Sequence, residues 1–274
     1  MRERDLLEAR IRKLADEDIC LAFSGGVDSS LLLKMAAQAA DRTGKRVYAV
    51  TFDSRLHPSC DLEIAKRVAA ELGGIHEVIT VDELEQEGIR LNPVNRCYLC
   101  KLHLFRKLRE FAKGRGIRQI LDGTNEDDMH VYRPGIQALK ELEIISPLAE
   151  LHITKAAVKE LASFYGISVA TRPSAPCMAT RLPYNTEIDF DVLTRIGQGE
   201  AYLRTVLPGN IRLRLHGDVV RLEVDGLSFS KVMERRKEIT EALKCLGFIY
   251  ITLDLEGFRS GSMDMELDKS QAGG

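Results

Sequence analysis

The sequence predicts an α/β fold: a mostly parallel sheet with helices on both faces, followed by a small C-terminal α+β unit. Two observations predict it. Short apolar runs alternate with helical patterns through the first two thirds of the chain, and the texture changes after Arg172-Pro173. Alternating strands and helices build parallel sheets, because each parallel connection needs a crossover helix that then covers a face.

Ile19-Cys-Leu-Ala-Phe23 reads as a buried strand, and an apolar helix follows from Ser29 to about Ala40. Val47–Phe52 is the second strand, and residues 61–72 are helical, ended by Gly73-Gly74. Residues 75–81 form a third strand, residues 101–113 a basic amphipathic helix closed by Gly114, and Gln119–Asp122 a fourth strand. Helices are expected over 135–141 and 154–165, the latter ended by Gly166. Pro173, Pro176 and Pro183 then mark a loop. Beyond it come a helix over 189–207, two strands meeting at Gly217-Asp218, a helix over 228–246 and a strand over 248–253. The expected division is a first domain over 1–183 and a second over 184–274, with a disordered tail from Met263.

The 274 residues suffice for one large domain with an appendage and a core that needs no disulfides. Thirty-nine basic against 41 acidic residues give a net charge of −2, which argues against a broad nucleic-acid face. No apolar run is long enough to span a membrane, and acids occupy the start where a signal peptide needs an apolar stretch; a cytoplasmic location is expected. Six cysteines in that setting are more naturally buried thiols, metal ligands or catalysts than a disulfide framework.

Ser24-Gly25-Gly26-Val27-Asp28-Ser29-Ser30 follows the first strand and opens the first helix. Two glycines let the backbone approach an anion, the helix start supplies unpaired N–H groups, and the serines add hydroxyls. Asp28 is out of place in a pure anion cradle, which points to a cation such as Mg²⁺ beside phosphate. The loop lacks the Gly-Lys-Ser/Thr ending of a γ-phosphate loop and the Gly-x-Gly-x-x-Gly of a dinucleotide site. Thr51-Phe52-Asp53-Ser54 ends the second strand and Asp122-Gly123-Thr124-Asn125-Glu126-Asp127-Asp128 the fourth, at the sheet edge where open α/β folds bind ligands.

This loop resembles the PP-loop of the ATP pyrophosphatase superfamily. The resemblance implies the adenine nucleotide alpha hydrolase-like fold and cleavage of ATP between the α and β phosphates. It also implies adenylation of a carboxyl or carbonyl oxygen, then attack by nitrogen or sulfur. ATP and Mg²⁺ would be held by Ser24, Gly25, Gly26, Asp28, Ser29 and Ser30, with Phe52, Asp53, Gly123, Thr124, Asn125 and Asp128 lining adenine, ribose and the α-phosphate.

Cys97-Tyr-Leu-Cys100 places two thiols three apart at a helix start, and Cys177 lies in the proline-rich loop. The CxxC alone is compatible with zinc, redox chemistry or an iron–sulfur site. Cys20, Cys60 and Cys245 read as bystanders, in a strand, a loop and near a helix end. The segment Pro176-Cys-Met-Ala-Thr-Arg181, with Tyr132-Arg-Pro-Gly135 and Leu253-Asp-Leu-Glu-Gly-Phe-Arg-Ser-Gly-Ser-Met263, is similar to LarE-type sulfur transferases over nearly the whole chain. Those enzymes act on a pyridinium dicarboxylate mononucleotide on the way to the nickel-pincer cofactor of lactate racemase, converting adenylated carboxylates to thiocarboxylates. In family members with one active-site cysteine at this position, that cysteine gives up its own sulfur. The resemblance makes Cys177 catalytic, and the extra Cys97 and Cys100 imply the three-cysteine form with a [4Fe–4S] cluster on all three thiolates.

Arg212 and Arg214 alternate on an expected strand and so share a face, as a phosphate-recognising pair or as a solvated basic edge. The resemblance favours substrate phosphate, with Arg181 and Lys101 as further contacts and Glu200 as a base or metal ligand; otherwise Glu200 is a solvated helix carboxylate. It also implies a homo-oligomer built on trimers through the C-terminal unit. The competing readings are a tRNA-thiolating PP-loop enzyme, an amide-forming synthetase and an ATP-sensing module without catalysis.

Overall fold

The computed structural model describes residues 2–57, 59–86, 88–130, 133–172, 176–259 and 261–263, leaving aside the side chains of residues 59 and 60. The expected tail beyond Met263, residues 173–175 of the proline-rich loop and Tyr132 lie outside those residues, whereas Met263 itself is buried and so corrects the start of that tail. The chain forms two compact units: Met1–Ile89 with Asn95–Ala175, and Arg90–Val94 with Pro176–Gly274. Residues 176–183 and the short segment 90–94 therefore group with the second unit.

The first unit runs α1 (Arg2–Leu14), β1 (Ile19–Ala22), α2 (Val27–Thr43), β2 (Val47–Ser54), α3 (Ser59–Leu72) and β3 (Ile75–Val81). It continues with α4 (Arg96–Gly114), β4 (Gln119–Leu121), α5 (Glu126–Met129), α6 (Gly135–Glu141), α7 (Pro147–Glu150) and α8 (Lys155–Phe164). Its sheet is parallel throughout, in the order β3-β2-β1-β4. Period-two alternation divides the core. Ile19, Leu21, Val47 and Ala49 pack with α1, α2, α3 and α8 on one face; Cys20, Tyr48 and Val50 pack with Leu104, Phe105 and Leu108 of α4 and Leu139 of α6 on the other.

The α/β expectation with both faces covered is met. Helix α2 is buried along most of its length, including the consecutive Leu31, Leu32 and Leu33. Its apolar residues spread over more than one face, so the helix is largely enclosed, and truncating any of these leucines to alanine costs about 2–5 kcal/mol. The phosphate-type loop thus sits at the head of a rigid element. Helix α1 was not anticipated, because its buried Leu7, Ile11 and Leu14 are hidden among charges. Cys60 lies in α3 rather than in a loop.

The second unit holds α9 (Phe190–Val206), β5 (Ile211–His216), β6 (Val219–Val224), α10 (Phe229–Glu234), α11 (Arg236–Cys245) and β7 (Tyr250–Leu253). β5 pairs antiparallel with β6, and β6 pairs parallel with β7. The single helix expected over 228–246 is instead two, broken at Arg235. Its guanidinium reaches Val206 O at 3.4 Å and pairs with Glu238, while Val232 is buried from α10 and Ile239 and Leu243 from α11. No glycine or proline marks this break in the sequence.

Candidate functional site

In the first unit the chain leaves β1 for β2 and β3 on one side and returns to β4 on the other. The strand order therefore reverses between β1 and β4, and the carboxyl ends of strands at such a switch point are where open α/β sheets bind ligands. Both expected loops meet there. Gly25 adopts φ +67°, and a Cβ on it would lie 2.9 Å from Ala65 Cα, so only glycine fits this turn. A Cβ on Gly123 would lie 3.1 Å from Ser29 N and 3.2 Å from Asp28 Cβ, so the loop after β4 packs directly on the head of α2.

No side chain caps α2 at Gly26. Its first-turn N–H groups are thus available to an anion, with the helix dipole adding to their pull. The serines organise the loop: Ser24 Oγ accepts from Gly26 N at 3.2 Å, and Ser29 Oγ donates to Gly26 O at 3.2 Å. Ser30 is fully buried, and its Oγ has no partner among the described residues. An uncapped helix start with two glycines and an unengaged hydroxyl fits phosphate.

Two lysine–aspartate pairs frame this edge. Asp28 accepts from Asn125 Nδ2 at 3.1 Å and from Lys155 Nζ. Asp122, buried at the end of β4, accepts from Thr124 Oγ1 at 2.6 Å, Ser146 Oγ at 2.5 Å and Lys101 Nζ at 3.4 Å. Asn125 and Asp128 form a reciprocal capping box at the start of α5. Phe52, half-buried, lies 6.2 Å from Phe105 between ring centres, and Asp53 is exposed beside it. Ser24, Asp28, Ser29, Gly123 and Asn125 are thus brought together, with Thr124 and Lys101 joined through Asp122.

Lys155 was missed. It opens α8, where the helix dipole disfavours a cation, and its backbone N–H is held by Asp127 Oδ2 at 2.6 Å. A lysine directly after the N-cap Thr154 was the available signal.

Cys97 and Cys100 lie in the first turns of α4, Cys100 directly before Lys101; Cys97 is exposed and receives a hydrogen bond from Arg96 Nη2 at 3.4 Å. Two such sulfurs fit part of a soft-metal site, but Cys177 belongs to the other unit. Among the described residues no three His, Cys, Asp or Glu side chains come together to hold a metal ion. Cys20 is buried, and burial pushes its thiol up to about 12, as befits a bystander.

The second unit gathers the other expected residues. Cys177 precedes a 3₁₀ turn, Met178–Arg181. Glu200 is 1% exposed, so the solvated-carboxylate alternative is corrected. It accepts two hydrogen bonds from Arg181, at 2.9 and 3.0 Å, one from Arg204 at 2.8 Å and one from Leu213 N at 3.1 Å. Burial alone would raise its pKa; the Arg181 hydrogen bonds and charge outweigh that and hold it below the ordinary glutamate value.

Arg212 and Arg214 are buried rather than a solvated edge, and they differ. Arg214 Nε donates to both oxygens of Glu223 at 3.2 Å, and its Nη1 donates to Thr180 O at 2.6 Å. Arg212 donates to Ile211 O at 2.7 Å and lies 5.3 Å over the Phe258 ring, with no carboxylate bonded to it among the described residues. Burial, then the charge of Arg181, lowers its pKa to about 10.

A family model described as asparagine synthase matches residues 3–97. A pyridinium-3,5-bisthiocarboxylic acid mononucleotide synthase of Lactiplantibacillus plantarum is 33% identical over 92% of this chain and 91% of its own. The chain belongs to the LarE-type family of PP-loop ATP pyrophosphatases. An uncharacterised protein of Synechocystis is 35% identical over 96% of this chain and all of its own. An argininosuccinate synthase of Pyrococcus furiosus is 30% identical over 56% of this chain and 40% of its own. Family membership makes this LarE-type chain an ATP-dependent enzyme of a family that binds ATP and Mg²⁺. No helix among the described residues is long and apolar enough to cross a membrane.

Proposed function

We propose that this LarE-type chain is an ATP-dependent sulfur transferase acting on a pyridinium dicarboxylate mononucleotide. A substrate carboxylate oxygen attacks the α-phosphorus of ATP, forming an acyl adenylate and releasing pyrophosphate. Hydrosulfide then attacks the acyl carbon and loses its proton, AMP leaves, and a thiocarboxylate remains. The observation that carries the reading is Arg212, a buried guanidinium bonded to no carboxylate among the described residues. Glu200, already bonded to Arg181 and Arg204, acts on it through charge alone, and a buried cation so incompletely compensated is costly unless a bound anion completes it. One such position suits the single phosphate of a small substrate better than a polynucleotide backbone, which asks for a broad basic surface. The similarity to the bisthiocarboxylic acid mononucleotide synthase supports the same reading.

In this proposal the loop Ser24–Ser30, Asp28 and the strand-end residues hold ATP and Mg²⁺. Arg212 takes the substrate phosphate; Arg181 and Arg214 shape its surroundings, and Glu200 fixes Arg181. Lys101 serves the adenylated end. Cys177 is the sulfur-handling residue, and Cys97, Cys100 and Cys177 form a ligand set for a [4Fe–4S] cluster. The enzyme works in the cytoplasm as a homo-oligomer built on trimers. The test is product analysis with ATP, Mg²⁺, the dicarboxylate mononucleotide and a sulfide source. Thiocarboxylate with stoichiometric AMP and pyrophosphate is expected; AMP and pyrophosphate without sulfur in the product would refute the sulfur-transfer step.

A further inference from the structure

The β5–β6 register sets Arg212 directly opposite Glu223, and Arg214 opposite Arg221. Directly opposed side chains on one face are close neighbours, and a carboxylate opposite an arginine ordinarily neutralises it. That does not happen here. Glu223, with no exposed surface, is drawn off its cross-strand partner: both its oxygens accept from Arg214 Nε, and Oε1 also accepts from Arg221 Nη2 at 3.0 Å and Ser262 Oγ at 2.6 Å. Arg221 is held in turn by Asp254, its Nε 3.4 Å from Oδ2. Ser262 belongs to the last described segment, residues 261–263, where Ser262 and Met263 are both buried. Arg221 Nη2 lies 3.8 Å from the Met263 sulfur, so that segment packs over the same carboxylate.

We propose that Glu223 and Ser262 are positioning residues that keep Arg212 from bonding a carboxylate, so that it serves as the anion site. Ser262 holds the Glu223 carboxylate toward Arg214 and Arg221; released, the carboxylate pairs with Arg212 across the ladder and competes with a bound phosphate. The C-terminal segment is then a working part of the anion site, though it supplies no direct ligand. The inference rests on the proposal that Arg212 takes the substrate phosphate.

The experiment measures nicotinic acid mononucleotide binding by calorimetry on the full chain, as wild type, R212A, S262A, E223Q and S262A/E223Q. Binding by the wild type that R212A weakens at least tenfold upholds the phosphate site; wild-type and R212A affinities that agree overturn that reading and this inference with it. Given the phosphate site, S262A is expected to weaken binding about tenfold, the scale of one charge-assisted hydrogen bond. E223Q is expected to bind at least as well as wild type, because glutamine cannot neutralise Arg212, and the double variant to recover what S262A lost. A purely structural role predicts the reverse: E223Q weaker than wild type and the double variant weaker than S262A. Either result overturns the positioning role, as does an S262A affinity equal to wild type. Should S262A not fold, E223Q alone still decides.

Discussion

Lys155 Nζ donates to the Asp28 carboxylate, joining the first residue of α8 to the loop that heads α2. Asn125 holds the other carboxylate oxygen, and Asp127 holds the lysine's own backbone N–H. Four residues from three segments thereby fix one carboxylate and one ammonium at the sheet edge, beside the loop proposed to hold the phosphates.

Removing either partner is expected to impair ATP cleavage, in different degree. D28A should abolish substrate-dependent pyrophosphate release. K155A should lower it by about 10–100-fold, the scale of one charge-assisted hydrogen bond of roughly 1.5–3 kcal/mol. Coupled-enzyme detection of pyrophosphate checks both; a K155A enzyme with wild-type rates would make the pair purely structural.

Much of this sheet edge was legible because its signal is local. Ser24–Ser30 carries its glycines, hydroxyls and helix start within seven consecutive residues, and Gly123-Thr-Asn125 ends a readable strand. Lys155 was not legible, since its partner lies 127 positions away. The shared face of Arg212 and Arg214 followed from strand periodicity, whereas the choice Glu223 makes between them depends on cross-strand geometry that no spacing reveals. The break at Arg235 escaped for a similar reason: a side chain bonded to Val206 O, 29 positions away, replaces the usual glycine or proline.

Gly25 offers a backbone test. Alanine there meets Ala65 Cα and a left-handed φ at once. The conformation alone costs about 1–2 kcal/mol, and the clash forces the loop to shift. G25A is expected to lower the urea midpoint and weaken ATP binding together, seen by denaturation and calorimetry. An unchanged ATP affinity would mean that the loop does not carry the phosphates.

Arg212 separates binding from stability. A buried charge replaced by an apolar side chain of similar volume is often neutral or stabilising. R212M is expected to keep or raise Tm, to lose mononucleotide binding at least tenfold and to spare ATP binding. R214M should instead lower Tm, because it strips the buried Glu223 of the Nε–H shared between its two oxygens. Equal loss of both ligands in R212M would assign the arginine to the fold.

The cysteines divide two sulfur routes. If Cys97, Cys100 and Cys177 hold a cluster, anaerobically reconstituted protein should contain iron and sulfide, and C97A should lose most of both. If Cys177 gives up its own sulfur, its peptide should lose about 34 Da, the mass of H₂S, in a single turnover. Iron analysis and peptide mass spectrometry before and after turnover distinguish the routes. An intact Cys177 peptide in iron-free, active protein would exclude both.

Glu200 makes the second unit acid-sensitive. Its folded pKa lies below its unfolded value, so its contribution is complete above the unfolded range near about 4.3 and is lost as pH falls through the lower folded value. E200Q leaves Arg181 buried without its bidentate carboxylate, which should cost about 3–5 kcal/mol at pH 7. Urea unfolding of both proteins from pH 7 downward should show the gap narrowing only below the ordinary glutamate range, as the wild type loses what the variant never had. A gap that stays constant through that range would mean that the ionised carboxylate is not what holds Arg181.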